Sequence, residues 1–234
     1  SAAEKDLDDA DTVMNKLTYM TDIEVSAYGV YQDGKLLTVV ETRGTADSLV
    51  KETLAHYKKP AKGMKLEKIK FAKKVEVKQL DVMLTSIQSK KQASEQLLNG
   101  GNINMSHIIK EGESINSVAK KYDVNVKDMS GKNSEQSVNN LKPGDLVNME
   151  KKVSPLEVKT VETGKMSETI PYETEKQETK DLYKGESLVA QEGVDGRQII
   201  SGTITKVNGK EVNRNIKHKE VVVQPIKKIV KVGI

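Results

Sequence analysis

The first hundred residues alternate and recur in ways that predict a small mixed fold. Val25 to Tyr31 is rich in β-formers, and Leu36 to Val40 continues in the same manner. Between them, Gln32-Asp33-Gly34-Lys35 supplies the Asp-Gly pair of a tight hairpin. Thr45 to Tyr57 changes period: Ala46, Leu49, Val50, Thr53, Leu54 and Tyr57 share one helical face, and Pro60 stops the helix. From Met64 to Leu84 apolar residues alternate in pieces, which predicts a long or bulged strand pair. Ser89 caps a helix that runs through Leu98 and closes at Gly100-Gly101. Residues 25–101 therefore form an expected small α+β domain. Residues 1–24 open acidic and are expected as a helix or a linker.

His107 to Glu150 repeats the logic on a smaller scale. His107 to Lys110 is a short strand, Glu111-Gly112-Glu113 a turn, and Ser114 a helix N-cap. Ile115, Val118, Ala119 and Tyr122 follow at i, i+3, i+4, i+7. A second short helix starts at Asn125, with Asp128 as a capping-box-like partner and Val126 and Met129 on its buried side. Leu141-Lys142-Pro143-Gly144-Asp145 turns the chain into a closing strand, Leu146 to Met149. This gives a βααβ unit over 105–151, and Lys151 to Pro155 reads as a linker. Beyond it, Leu156–Val161, Lys165–Glu173, Arg197–Val207, Glu211–Val223 and Ile226–Val232 read as strands, with Asn208-Gly209 a second hairpin signal. Charges are scattered through these strands and large apolar side chains are few. That pattern predicts an elongated, single-layer, all-β module over 155–234.

Composition agrees with several small modules rather than one core. Of 234 residues, 36% are hydrophobic and 3% aromatic, with one Phe and no Trp. Net charge is +4, too mild to imply nucleic acid. Cysteine is absent, which removes disulfides, thiol catalysis and thiolate metal sites. No apolar run reaches the roughly 18–20 residues of a membrane-spanning helix. The abrupt start at Ser1 and the stop at Val232-Gly233-Ile234 predict a piece of a longer protein, with an export segment upstream and a further domain downstream. Between Lys58 and Lys78, nine lysines oppose two glutamates, a local +7. They read as the solvated face and guarded edge of a strand; an anion-facing strip toward a wall polymer is the functional alternative.

Catalytic chemistry finds little support. A zinc hydrolase needs three protein ligands and an open position, whereas His56, His107 and His218 fall in three different modules. No nucleophile elbow or phosphate-binding loop is present. His218 with Glu220, two residues on along one strand face, is the remaining zinc candidate; otherwise no cofactor is expected.

The residues Gly112-Glu113-Ser114-Ile115, Ser117-Val118-Ala119, Tyr122, Val124, Val126, Asn133, and Leu141 with Pro143-Gly144-Asp145-Leu146 resemble a LysM module. The resemblance implies binding of N-acetylglucosamine-containing glycans, peptidoglycan or chitin-like, in a shallow groove between two loops. The first loop is Gly112, Glu113, Ser114 and Ile115; the second is Asn139, Asn140, Leu141 and Lys142. His107 stands where such modules carry an aromatic, and is expected to pack.

Val158-Lys159-Thr160, Ile170-Pro171-Tyr172, the Leu182 to Gly185 step, Gly193-Val194-Asp195-Gly196, Asn208-Gly209-Lys210 and the closing Pro225 to Gly233 resemble a five-glycine (G5) domain. Together the modules resemble the non-catalytic front part of Gram-positive, clostridial-type secreted lysostaphin-like peptidoglycan endopeptidases. This implies an exported, wall-bound, non-catalytic targeting region. The alternative is a structural or adhesive spacer of a cell-surface protein that self-associates through the G5 module.

Overall fold

The computed structural model describes residues 23–130 and 141–234. The expected N-terminal helix or linker lies almost wholly outside these residues. The described chain folds as two compact units. One combines the residues up to His56 with Phe71–Glu157, and the other Tyr57–Lys70 with Val158–Ile234.

The first unit starts with β1 (Glu24–Gln32) and β2 (Lys35–Val40), joined by Asp33 and Gly34 at φ 48° and 78°. Two consecutive left-handed residues define the turn that matches strand twist, and Gly34 adopts that φ without a Cβ penalty. The helix α1 (Arg43–His56) buries Ala46, Leu49 and Thr53, the face that the periodicity predicts. The strand β3 (Met64–Phe71) and the strand β4 (Val75–Met83) are both present, but they do not form the expected pair. β4 runs antiparallel to β1, from Glu24↔Met83 to Gln32↔Val75, giving the sheet order β2-β1-β4. Alternation fixes that a segment is a strand and not which partner it finds. Here two backbone-directed bonds choose: Asp33 N–H donates to the Lys74 carbonyl at 2.9 Å, and Lys74 N–H donates to Asp33 Oδ1 at 3.1 Å.

The helix α2 (Lys90–Asn99) carries the predicted cap as a full capping box between Ser89 and Gln92. It runs through Gly100 directly into β5 (Gly101–Ile108), a longer strand than expected. The helix α3 (Ile115–Tyr122), the short helix α4 (Val126–Ser130) and the strand β6 (Leu146–Val153) complete the unit. Asn125 and Asp128 meet side chain to side chain at 3.1 Å, rather than through the reciprocal backbone contacts of a capping box. β5 and β6 pair antiparallel from Gly101↔Val153 to Ile108↔Leu146.

No gap separates the two sequence-predicted bodies in this unit. Leu49, Leu97, Ile103, Met105, Val118, Met149 and Val153 belong to one continuous apolar core. Thr38 donates to Gln96 Oε1 at 2.8 Å, and Leu156 N–H donates to the Leu97 carbonyl at 2.8 Å. The expected linker at Lys151 is the end of a strand: Lys151 and Val153 are both buried.

The second unit continues with β7 (Val158–Ile170), β8 (Thr174–Thr179), β9 (Ser187–Gln191), β10 (Gly196–Val207), β11 (Lys210–Val223) and β12 (Lys228–Gly233). They form a sheet of order β11-β10-β7-β3 and a second of order β8-β12-β9. β7 is one strand where two are expected. β8 is missed because Thr174–Thr179 is wholly polar, and all but one of its residues are exposed. β9 is exposed throughout. Asn208 and Gly209 make the predicted turn at φ 48° and 75°. At Gly202 a Cβ would stand 3.0 Å from Ile216 Cα, so the β10–β11 approach there requires glycine.

Candidate functional site

The βααβ segment builds its site at one end of the β5–β6 ribbon. Antiparallel pairing puts the loop after β5 and the turn before β6 at that same end. Ile109 extends the ladder: its N–H donates to the Asp145 carbonyl and its carbonyl accepts from Gly144 N–H, both at 2.9 Å. Ile109 is 2% exposed, so this joint is anchored in the core.

In the first loop, Gly112 has φ 80° and open space where a Cβ would be. A side chain there is disfavoured by backbone conformation rather than by crowding. Ser114 caps α3 as predicted: Ser117 N–H donates to Ser114 Oγ at 3.2 Å, and Ser114 N–H donates to Ser117 Oγ at 2.9 Å. Ile115 is half-buried against the core. In the second loop, Leu141 is likewise half-buried, and Lys142 is exposed with its N–H donating to Asp145 Oδ2 at 2.8 Å. Asn139 and Asn140 lie outside the described residues.

The side chains of Glu113 and Ser114 bond within the unit. The Glu113 carboxylate turns back into the unit, accepting from Lys110 N–H at 2.9 Å and lying 2.6 Å from His107 Nε2. The Ser114 hydroxyl is taken by the helix cap. Toward solvent at this end of the ribbon stand the backbone at Gly112, the partly exposed edges of Ile115 and Leu141, and Lys142.

His107 does more than pack. It is 2% exposed, with Nδ1 3.0 Å from the Tyr122 hydroxyl and its ring edge-on to that tyrosine. A neutral imidazole satisfies every partner: Nε2–H donates to Glu113 and Nδ1 accepts from Tyr122 O–H. Burial, with Glu24 and Glu113 adding, pushes the Tyr122 hydroxyl up to about 12, so it stays a donor. The His107 hydrogen bond, with the Lys110 amide helping, holds Glu113 below its ordinary carboxylate value. The chain Lys110–Glu113–His107–Tyr122 thus fixes the first loop to β5 and to the end of α3. Lys151 finishes the same helix: its Nζ donates to the Tyr122 carbonyl at 2.7 Å, a cation at a helix C-terminus. Sequence spacing alone contained no sign of this role, since Lys151 lies 29 residues from its partner.

The remaining candidates stay apart. His218 and Glu220 are both exposed on β11. Among the described residues no group of three or more His, Asp or Glu gathers in a way that could hold a metal. The lysine-rich stretch is divided: Lys58–Lys70 belongs to the second unit, while Lys73, Lys74 and Lys78 belong to the first. There Lys73 pairs with Glu157, and Lys74 and Lys78 both pair with Glu76. Among the described residues no helix is long and apolar enough to cross a membrane.

Comparison with known proteins agrees with both module resemblances. A LysM domain model matches residues 107–148, and a G5 domain model matches residues 161–234. LysM is a peptidoglycan- and N-acetylglucosamine-binding module, G5 occurs in cell-surface proteins, and neither is catalytic. No curated protein matches the chain. Among solved structures, one titled "IgA1 Protease G5 domain structure" is similar at 29% identity over 33% of this chain and 92% of that one, with a TM-score of 0.20.

Proposed function

We propose that the loops at Gly112 and Leu141 bind an N-acetylglucosamine-containing glycan, and that this chain anchors an exported wall hydrolase on peptidoglycan. One observation carries the reading: a segment matching LysM presents both of its loops at one end of the β5–β6 ribbon, with open space above Gly112. Exposed backbone there pairs with an N-acetyl amide, and Ile115 and Leu141 take its methyl group. So shallow a site binds weakly, and attachment to other wall contacts raises the avidity.

The test is a pull-down on purified peptidoglycan and on chitin beads. A Gly112→Trp, Leu141→Asp double variant and a Lys142→Ala variant accompany the native chain, with circular dichroism to establish folding. The expected result is retention of the native chain, at least tenfold less of the folded double variant, and an intermediate level for Lys142→Ala. Equal retention of all three proteins would refute the groove.

The second unit favours an additional spacer role. Leu188 on β9 and Val212 on β11 are 56% and 60% exposed, and Ile226, bridged to Val194 just before β12, is 49% exposed. Sedimentation with and without zinc reads self-association through these sheets. A monomer in both conditions leaves the anchoring role alone.

A further inference from the structure

The first unit holds another hollow that shares no lining residue with the glycan groove. Its volume is about 370 Å³, within the roughly 300–1,000 Å³ usual for small-ligand sites. The half-buried Tyr31, Leu80 and Tyr122 and the buried Leu36 give it an apolar floor. A neighbouring hollow of about 340 Å³ shares Leu36, Asp123 and Lys151 with it, so the two form one trough.

Across both hollows, five lysines line the trough against three carboxylates. Its ion pairs among the described residues are Lys110–Glu24 at 3.2 Å and Lys151–Asp123 at 3.5 Å. Lys35, Lys121 and Lys152, all exposed, stand outside these pairs with one carboxylate, Asp81, so the trough carries a surplus of two cations. Lys151 is 7% exposed and lines both hollows. Its ammonium has three N–H donors. The Tyr122 carbonyl accepts from it at 2.7 Å, and the Asp123 carboxylate lies 3.5 Å away.

We propose that this trough is a second carbohydrate site, selective for a saccharide that bears carboxylate groups. Pyranose rings present apolar C–H faces that lie on aromatic and leucine side chains. Their hydroxyls both donate and accept, which suits a rim of alternating carboxylates and ammonium groups. A neutral sugar has no use for the surplus of cations, whereas an acidic one pairs with Lys121, Lys152 and Lys151. A peptide of the same charge brings no pyranose face to Tyr31, Leu80 and Tyr122.

The test is calorimetric titration of the full chain with tetragalacturonate, which carries no N-acetyl group and so gives the first groove nothing to hold. Maltotetraose serves as the neutral sugar and tetraglutamate as the sugar-free acid. The expected result is measurable binding of tetragalacturonate that weakens at least tenfold in a Lys121→Glu, Lys152→Glu variant with an unchanged melting curve. Tyr31→Ala should weaken it as well, and both controls should bind at least tenfold more weakly. Absence of tetragalacturonate binding at low salt, equal affinity for tetraglutamate, or indifference to the lysine substitutions would each overturn the proposal. Chitin binding in the same variants stays native, which keeps this site separable from the groove.

Discussion

Replacing His107 with alanine is expected to cost the first unit about 2–4 kcal/mol, measured by urea denaturation at neutral pH. The substitution opens a cavity in a buried position and orphans the Tyr122 hydroxyl, while the Glu113 carboxylate keeps a single amide donor. Tyr122→Phe removes one hydrogen bond and no more than the hydroxyl's volume, and should cost about 0.5–1.5 kcal/mol. The effect has a pH signature. Folding lowers the Glu113 pKa from its ordinary 4.5, chiefly through the His107 hydrogen bond. A lowered carboxylate pKa means stability that is fully present above 4.5 and lost as pH falls through the folded-state value. The gap between native and His107→Ala chains should therefore narrow below about pH 4.5. A gap that stays constant from pH 7 to pH 3 would show that the pair contributes nothing beyond packing.

The second large effect concerns Glu162, which is 3% exposed on β7. Both its oxygens accept from Lys206 Nζ at 2.9 Å, and one accepts from Ala61 N–H at 3.0 Å. This carboxylate ties the Tyr57–Lys70 segment into the second unit, together with the Lys165 N–H bond to the Gly63 carbonyl. Glu162→Ala leaves a largely buried ammonium and an amide without partners. Breaking such a buried pair from one side costs about 3–5 kcal/mol. The expected readout is an earlier unfolding transition with new protease cleavage between residues 57 and 63. A joint Glu162→Leu, Lys206→Met variant should recover most of the loss, because it removes both charges together. Wild-type protection in Glu162→Ala would mean that the segment is held without this carboxylate, by strand pairing and the Gly63 carbonyl.

These two networks mark where sequence reading ends. Asp33-Gly34 and Asn208-Gly209 were legible because a two-residue turn is encoded by its own φ requirements. Ser89 and Ser114 were legible because a cap and its partner are three residues apart. The helix faces of Ala46, Leu49 and Thr53, or of Val118 and Ala119, follow from periodicity. The placement of β3 did not, because its apolar Met64, Leu66, Ile69 and Phe71 suit any sheet that offers an edge. β8 did not, since a strand exposed on both faces carries no apolar signal. The site divides in the same way. Gly112, Ile115, Leu141 and Lys142 come to one end of the ribbon as the motif implies. The inward bond of Glu113 was not legible, because a motif names positions and not the direction of side chains, and only the folded chain brings that carboxylate to His107.

The most direct test of the glycan reading is an amide chemical-shift titration of the first unit's signals in the full chain with chitotetraose. The expected result is saturable shifts at Gly112, Ile115, Leu141 and Lys142, with the buried His107 moving little. Shifts confined to other surfaces, or no shifts at millimolar sugar, would contradict it.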